Sequence, residues 1–307
     1  MSESAPSCPT CDHQLRIEGV SKVYTGSDGP KTVLDNVDLH ISKGELVSLV
    51  GPSGCGKSTL LRLILGEEEP SRGALYLEDD LVGFPDPTRG IVYQQYSLFP
   101  NLTVMDNIIA GHRLSLSASH WRQQKDEIRK RAQVYLETAQ LDGHANKWPH
   151  ELSGGQRQRA AVLQALMTDP KVLLMDEPFG ALDAGSRERM QVFLLEQWER
   201  TGKTIIFVTH DLEEAVFLGT RVVVLSQYYD DGNGNAPHGS RITCDIKVGK
   251  KGIASSTKAK LDPKFGEMIE HIRDFMSKPD HARQVSDFDL SHPDSFHVNG
   301  NGNGSVK

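Results

Sequence analysis

The chain has 307 residues, with 34 Lys and Arg against 41 Asp and Glu for a net charge of −7, and 37% of it is hydrophobic. That balance suits a globular protein with apolar mass for one large core or two modest ones, and argues against collagen, a coiled coil or a wholly disordered chain. A net acidic chain also lacks the broad positive field that nucleic-acid phosphates require, so no nucleic-acid partner is expected. No apolar run approaches the roughly 18–20 residues that cross a bilayer, and Met1-Ser2-Glu3-Ser4 lacks the basic flank and apolar stretch of a secretory signal. A cytosolic location is expected.

Residues 1–13 are polar and read as a disordered lead. Cys8 and Cys11 form a C-x-x-C there, with His13 close behind. A zinc site needs about four ligands, and no second Cys/His pair has matching spacing, so reduced thiols in a tail are expected. Strand-like segments follow at 15–20, 37–41 and 45–50. Residues 51–56 interrupt with glycines, and 58–65 read as a helix. Short apolar runs at 90–93, 172–175, 204–208 and 221–225 each adjoin a helical pattern, which predicts a mostly parallel sheet covered by helices.

Between about 95 and 160 the texture changes. Residues 104–113 and 122–141 read as helices, the second with Ile128, Ala132, Tyr135 and Leu136 on one stripe, so a helical subdomain inserted into the sheet domain is expected. Residues 230–235 carry strong turn chemistry, 241–248 alternate like a strand, and the Lys-rich stretch 247–264 reads as solvated. Asp262-Pro263 is a helix start for an apolar face of Phe265, Met268, Ile269, Ile272 and Phe275. From Pro279 the chain is polar and ends in Asn-Gly repeats, a second disordered tail. The expected division is a sheet domain over 14–226, a C-terminal hairpin and helix over 227–278, and tails at 1–13 and 279–307.

Three stretches carry chemistry. Gly51-Pro52-Ser53-Gly54-Cys55-Gly56-Lys57-Ser58 fits G-x-x-x-x-G-K-[ST], with Thr59 next in the helix. Its glycines let backbone N–H groups point at phosphate oxygens, Lys57 supplies charge to the β- and γ-phosphates, and the Ser58 hydroxyl can ligate Mg²⁺. The helix that follows aims its positive end at the same anion. Next, Val172-Leu173-Leu174-Met175-Asp176-Glu177 is an apolar run ending in two acids, which fits a buried strand delivering carboxylates to the sheet's carboxyl edge. Asp176 is expected in the Mg²⁺ shell, and Glu177 as the base that deprotonates water. Finally, Ser153 with Gln156 three residues on is a capping box, and Gly154 and Gly155 bare the first turn of its helix, a second anion-seeking helix start. Two such starts for one nucleotide are simply used if two copies face each other, each lending its 152–156 helix start to the γ-phosphate on the other.

Together these residues resemble the ATP-binding cassette family. Leu152-Ser153-Gly154-Gly155-Gln156 looks like its signature sequence. By the same resemblance Tyr24 is the aromatic that stacks on adenine, and Gln94, with Gln95 beside it, links the metal site to the membrane partner. Asp183, in Gly180-Ala181-Leu182-Asp183, lies in the loop that touches the partner subunit, and His210 is the switch histidine that contacts the γ-phosphate. The likeness covers about 15–226 and weakens towards 277. Residues 96–104 look like importer cassettes, where this stretch lines a groove for a helix of the membrane subunit. Residues 214–218 followed by 221–226 resemble the nitrate/sulfonate/taurine importer group.

The resemblance implies an α/β fold: a RecA-like P-loop NTPase core with a mostly parallel sheet, an antiparallel β portion and an inserted helical subdomain. It implies an ATP hydrolase using ATP and Mg²⁺, peripheral on the cytoplasmic face of the inner membrane. Its partners would be a second ATPase subunit (a copy or a paralogue), transmembrane permease subunits and, indirectly, an extracytoplasmic substrate-binding protein. Importers of the maltose and polyamine type carry a longer β-rich extension than the 80 or so residues that follow Leu225 here. A soluble cassette ATPase of repair, translation or cluster assembly is the alternative, set back by a single cassette and no heptad run. Cys55, beside Lys57 and a helix start, is expected either as a small residue that fits the loop or as a thiol of lowered pKa, open to alkylation and protected by nucleotide.

Overall fold

The strand before the glycine loop, Leu46–Val50, is buried along its whole length, because helices or a second sheet cover both faces of the sheet it belongs to. The computed structural model describes residues 13–27, 29–94, 98–229, 239–248, 260 and 263–276. In chain order the elements are β1 (His13–Gly26), β2 (Gly29–Ser42), β3 (Leu46–Val50), α1 (Lys57–Leu65), β4 (Arg72–Leu77), β5 (Asp80–Leu81) and β6 (Arg89–Val92). Then come α2 (Val104–Ile108), α3 (Ala110–Ser115), α4 (Ala118–Thr138), α5 (Gly154–Met167), β7 (Val172–Asp176), α6 (Ala184–Thr201), β8 (Thr204–Val208), α7 (Leu212–Leu218), β9 (Arg221–Ser226), β10 (Arg241–Lys247) and α8 (Pro263–Met276).

The larger sheet runs β10-β9-β3-β8-β7-β6, parallel throughout except for β10, which pairs antiparallel with β9. A four-stranded antiparallel sheet, β2-β1-β4-β5, packs beside it. Alternation along β7 and β8 divides the core. Leu173, Met175, Ile205 and Phe207 face the cluster built with α2, α4, α5 and α6, while Val172, Leu174, Ile206 and Val208 face the one built with α1 and the antiparallel sheet. Such strands read as continuous apolar runs for this reason. The α/β fold expected from the sequence is the one observed.

Several details differ. The helix expected over 104–113 is two, α2 and α3, which meet at Ile109 in a tight turn whose N–H reaches the Asn107 and Met105 carbonyls. The helix expected over 122–141 begins earlier, at Ala118, because Ser117 caps it by accepting from His120 N. It ends sooner, where Gln140 takes φ 56° and Leu141 N bonds Leu136 O at 2.8 Å. Its stripe is as expected: Ile128, Ala132 and Leu136 are buried, and Tyr135 packs half-buried against the same core under Arg200 at 4.9 Å. Strands β4 and β5 and helix α6 have no counterpart in the sequence reading, although alternate residues of Arg72–Leu77 and the Asp183 cap were visible signals. His13 opens β1 rather than closing a tail, its ring 4.9 Å from that of His40. Cys8, Cys11, Gln95, residues 230–238, most of the Lys-rich stretch and both tails lie outside the described residues.

The C-terminal elements are locked to the sheet. Ile272 and Phe275 of α8 pack with Cys244 and Ile246 of β10. Arg221, 1% exposed, forks onto Asp245 of β10 (Nε to Oδ1 2.6 Å), reaches Glu45 Oε2 at 3.3 Å, and donates to His40 O at 2.7 Å. One guanidinium thus ties β9, β10, β2 and the entry to β3.

Candidate functional site

Parallel pairing sets the site. Leu49 of β3 and Asp176 of β7 both pair with Val208 of β8, so three strands end on one row and deliver their following loops to one edge. Gly51 begins the loop after β3, and a Cβ there would lie 2.0 Å from Leu225 O, so only glycine lets the loop turn against β9. Gly56 stands at φ 96°, a left-handed conformation that glycine adopts without strain, and caps α1 with no side chain. The positive end of α1 therefore faces the loop uncovered.

Within the loop, Lys57 Nζ donates to the Gly51 and Pro52 carbonyls at 2.8 and 3.1 Å. Ser53, Gly54 and Ser58 are exposed, and Thr59 is half-buried in the first turn of α1. Ser58 Oγ donates to Asp176 Oδ2 at 3.3 Å. Burial holds the Asp176 carboxyl above the ordinary aspartate range; the Ser58 hydroxyl opposes this, and the neighbouring Glu177 charge adds to it. Glu177 sits at φ 46°, rare for a residue with a side chain, held there because its N–H bonds Val208 O at 3.0 Å. Its Oε2 lies 3.2 Å from Nδ1 of His210, in the loop after β8.

Other expected site residues rim this edge. A Cβ on Gly180 would come within 3.3 Å of Gln94 Nε2, so the Gln94 amide lies over the start of the 180–183 loop. Asp183 ends that loop as the cap of α6, accepting from Ser186 N at 2.9 Å, and the Ser186 hydroxyl, with that N–H, holds its carboxyl below the usual range. Tyr24, near the tip of the β1–β2 hairpin, donates to Glu68 Oε2 at 2.6 Å beneath Lys22. The capping box is present: Gln156 N donates to Ser153 Oγ at 3.3 Å and Ser153 N to Gln156 Oε1 at 2.9 Å. Gln156 turns its amide nitrogen to His144, 3.1 Å away. Gly154 and Gly155 form the bare first turn of α5, with the nearest neighbour of a Gly155 Cβ at 3.8 Å.

One expectation is overturned. Cys55 is fully buried, and burial pushes its thiol up, outweighing the opposing charge of Lys57, whose Nζ is 4.0 Å away. The residue fills the underside of the loop as a small residue that fits it, and its thiol is raised rather than lowered as the other reading expected.

Two features of the site lie outside these motifs. The C-terminal helix reaches the site: Ile269, Arg273 and Met276 of α8 line a cleft of about 580 Å³ with Pro52 and His210. Glu214, which local sequence presents as one more acid in the first turn of α7, is turned inward and 5% exposed. The periodicity of α7, with Ala215, Phe217 and Leu218 buried beside it, was the available signal.

A strand, a glycine loop and a helix at the carboxyl edge of a parallel sheet, with an acid pair on the next strand but one, define a P-loop nucleotide-binding fold. Comparison with known proteins narrows this. Residues 34–180 match the family model described as "ABC transporter". Over 212 residues the chain is 42% identical to the aliphatic sulfonates import ATP-binding protein SsuB of Bacillus anthracis, covering 69% of this chain and 81% of that one. The nitrate import ATP-binding protein NrtD of Synechocystis is 45% identical over 212 residues (69% and 77%). The taurine import ATP-binding protein TauB of Pseudomonas fluorescens is 40% identical over 262 residues (84% and 92%). Among solved structures, a dimeric post-hydrolysis state of the ATP-binding cassette MJ0796 bound to ADP and Pi matches with a TM-score of 0.60 and 33% identity, over 77% of this chain and 99% of that one. The chain belongs to the ATP-binding proteins of the ABC transporter family.

Proposed function

We propose that this protein is the ATP-binding and ATP-hydrolysing subunit that powers an inner-membrane importer of a small solute (nitrate, a sulfonate, taurine or similar) through closure of a cassette dimer around ATP. The observation that carries this reading is the paired contact at one sheet edge, Ser58 Oγ on Asp176 Oδ2 at 3.3 Å and Glu177 Oε2 on His210 Nδ1 at 3.2 Å. It gathers a phosphate cradle, a cation-seeking oxygen pair and a base into one locus.

In this reading Gly51, Pro52, Ser53, Gly54, Cys55 and Gly56 wrap the triphosphate with backbone N–H groups, and the uncapped α1 faces it. Lys57 exchanges its two carbonyl partners for phosphate oxygens, and Ser58 and Thr59 close the cradle. The hard oxygen pair of Ser58 and Asp176 fits Mg²⁺, which takes one or two protein oxygens alongside phosphate and water. Bound there, the ion would supply positive charge that offsets the charge developing on the phosphates. Gln94 completes that shell. Glu177 receives the proton of the attacking water on its carboxylate, and His210 holds Glu177 in place and meets the γ-phosphate. Tyr24 stacks on the adenine.

Ser153, Gly154, Gly155 and Gln156 bind the γ-phosphate held by the partner copy or paralogue, and Asp183 and its loop touch that partner. The neighbours support this division, since the MJ0796 cassette with ADP and Pi is dimeric. Among the described residues no helix is long and apolar enough to cross a membrane, so the path for solute belongs to permease subunits docked near Gln94, with a binding protein outside supplying the solute. The cassette spans 14–226 with its helical subdomain at about 95–160, followed by a hairpin and helix over 227–278.

The test is Glu177→Gln in the full chain. Loss of a general base slows ATP turnover by about 10²–10⁴-fold. The variant should sediment as a dimer with ATP and as a monomer without it; a monomer under both conditions would refute the shared-site reading.

A further inference from the structure

The switch loop is not held by His210 itself, whose side chain is 67% exposed, but by its buried neighbour. Thr209 is 2% exposed, and its Oγ1 donates to Glu214 Oε2 at 2.7 Å while accepting from Asp211 N at 3.1 Å. Asp211 Oδ1 in turn accepts from the N–H groups of Glu213 and Glu214 at 2.9 and 3.2 Å. The loop is therefore closed across His210 by the Thr209 hydroxyl, which the Glu214 carboxylate anchors from below. The other oxygen of that carboxylate, Oε1, accepts from Gln191 Nε2 of α6 at 3.0 Å. Gln191 Oε1 accepts from Lys260 Nζ at 3.2 Å, and the same ammonium lies 4.8 Å over the Phe217 ring of α7.

A cap for α7 would need only Asp211. A buried acid is a costly way to add one more helix contact, since its charge is desolvated. Every partner of Glu214 runs either to the His210 loop or to α6 and Lys260, and none serves the core's apolar packing.

We propose that Glu214 is a positioning residue for hydrolysis: through Thr209 it fixes the turn that aims His210 at Glu177, and through Gln191 it ties that turn to α6 and to Lys260 ahead of the C-terminal helix. The inference rests on His210 being the switch histidine, as read above. A buried rigid brace confines the ring to the geometry the reaction needs, and misplacement of a catalytic group by about 1 Å can cost on the order of 10²-fold. Nucleotide binding depends on the glycine loop and Lys57, which the brace does not touch.

The test is steady-state ATP hydrolysis by the full chain carrying Thr209→Val, Thr209→Ser, Glu214→Gln and His210→Ala, with Thr209→Val also made in the His210→Ala background. Thr209→Val is expected to lower kcat by about 10- to 100-fold with KM for ATP within about twofold, and Thr209→Ser to restore most of the loss, because only the hydroxyl matters. In the His210→Ala background Thr209→Val should have no further effect, the signature of two residues acting as one unit. Glu214→Gln, close in size, keeps an acceptor for Thr209 but sets an N–H2 group against Gln191 Nε2, so it cuts the α6 arm of the brace and reports on it should Thr209→Val fold poorly; its kcat should fall with KM unchanged. Wild-type activity for His210→Ala would overturn the switch reading and this proposal with it. A fall for His210→Ala with normal kcat in Thr209→Val and Glu214→Gln, or an equal further loss in the double variant, would overturn the brace alone.

Discussion

Ser58 and Asp176 are 118 positions apart in the chain, and their side chains meet at 3.3 Å where α1 leaves the glycine loop and β7 leaves the sheet. The contact joins the glycine loop to the acid pair and sets the oxygens of the proposed Mg²⁺ site side by side.

Asp176→Asn separates stability from catalysis. A carboxyl whose pKa is raised by burial holds its proton more tightly folded than unfolded. Its contribution to stability is complete below the unfolded aspartate pKa and is lost as pH rises through the folded one. The amide removes that loss, so nucleotide-free Asp176→Asn is expected to melt higher than wild type at neutral pH, with the gap closing in acid. Its Mg²⁺-dependent hydrolysis should fall by about 10²-fold or more, because a metal supplies several kcal/mol to the transition state. A lower melting temperature at neutral pH would contradict the assignment.

Lys57→Ala removes the only side-chain cation in the glycine loop. A hydrogen bond to a charged group is worth about 1.5–3 kcal/mol, so ATP affinity should weaken by about 10- to 100-fold in a fluorescent-nucleotide titration. Affinity within twofold of wild type would mean the ammonium never reaches phosphate.

Native Cys55 should resist alkylation. Burial and a raised thiol pKa both withhold the reactive thiolate. Mass spectrometry of the Cys55 peptide after iodoacetamide treatment should show labelling about 10²-fold or more slower than in the urea-unfolded chain, with or without ATP, since reaction requires local opening. Rapid labelling of the folded protein would refute this.

Arg221→Ala strands Asp245 and Glu45 without their shared cation. Breaking a buried pair from one side costs about 3–5 kcal/mol, which urea titration should register as a lower midpoint at similar slope. An unchanged midpoint would show that the Arg221 ion pairs contribute nothing to the sheet's stability.

Much of this site was legible in the sequence because its parts are local. A glycine loop needs Gly51 and Gly56 where the backbone turns against β9 or takes positive φ, a capping box needs Ser153 and Gln156 three residues apart, and a strand buried on both faces needs an unbroken apolar run such as 172–175. Each is fixed by a few consecutive dihedrals or by residue types at set spacing, so the residue order alone determined them, and the family resemblance with them.

What the residue order could not state is which strands lie side by side. Parallel neighbours are joined by long crossovers, and the order β9-β3-β8-β7 is decided by packing of whole helices on both faces of the sheet. Only that order sets His210 beside Glu177 and Ser58 beside Asp176. Burial is likewise collective: Cys55 carries the same neighbours whether it faces solvent or core, and Glu214 reads as a surface acid until α6 is laid against α7. Hydrogen bonds and desolvation from segments distant in the chain, absent from any local window, gave one residue its burial and the other its place behind His210.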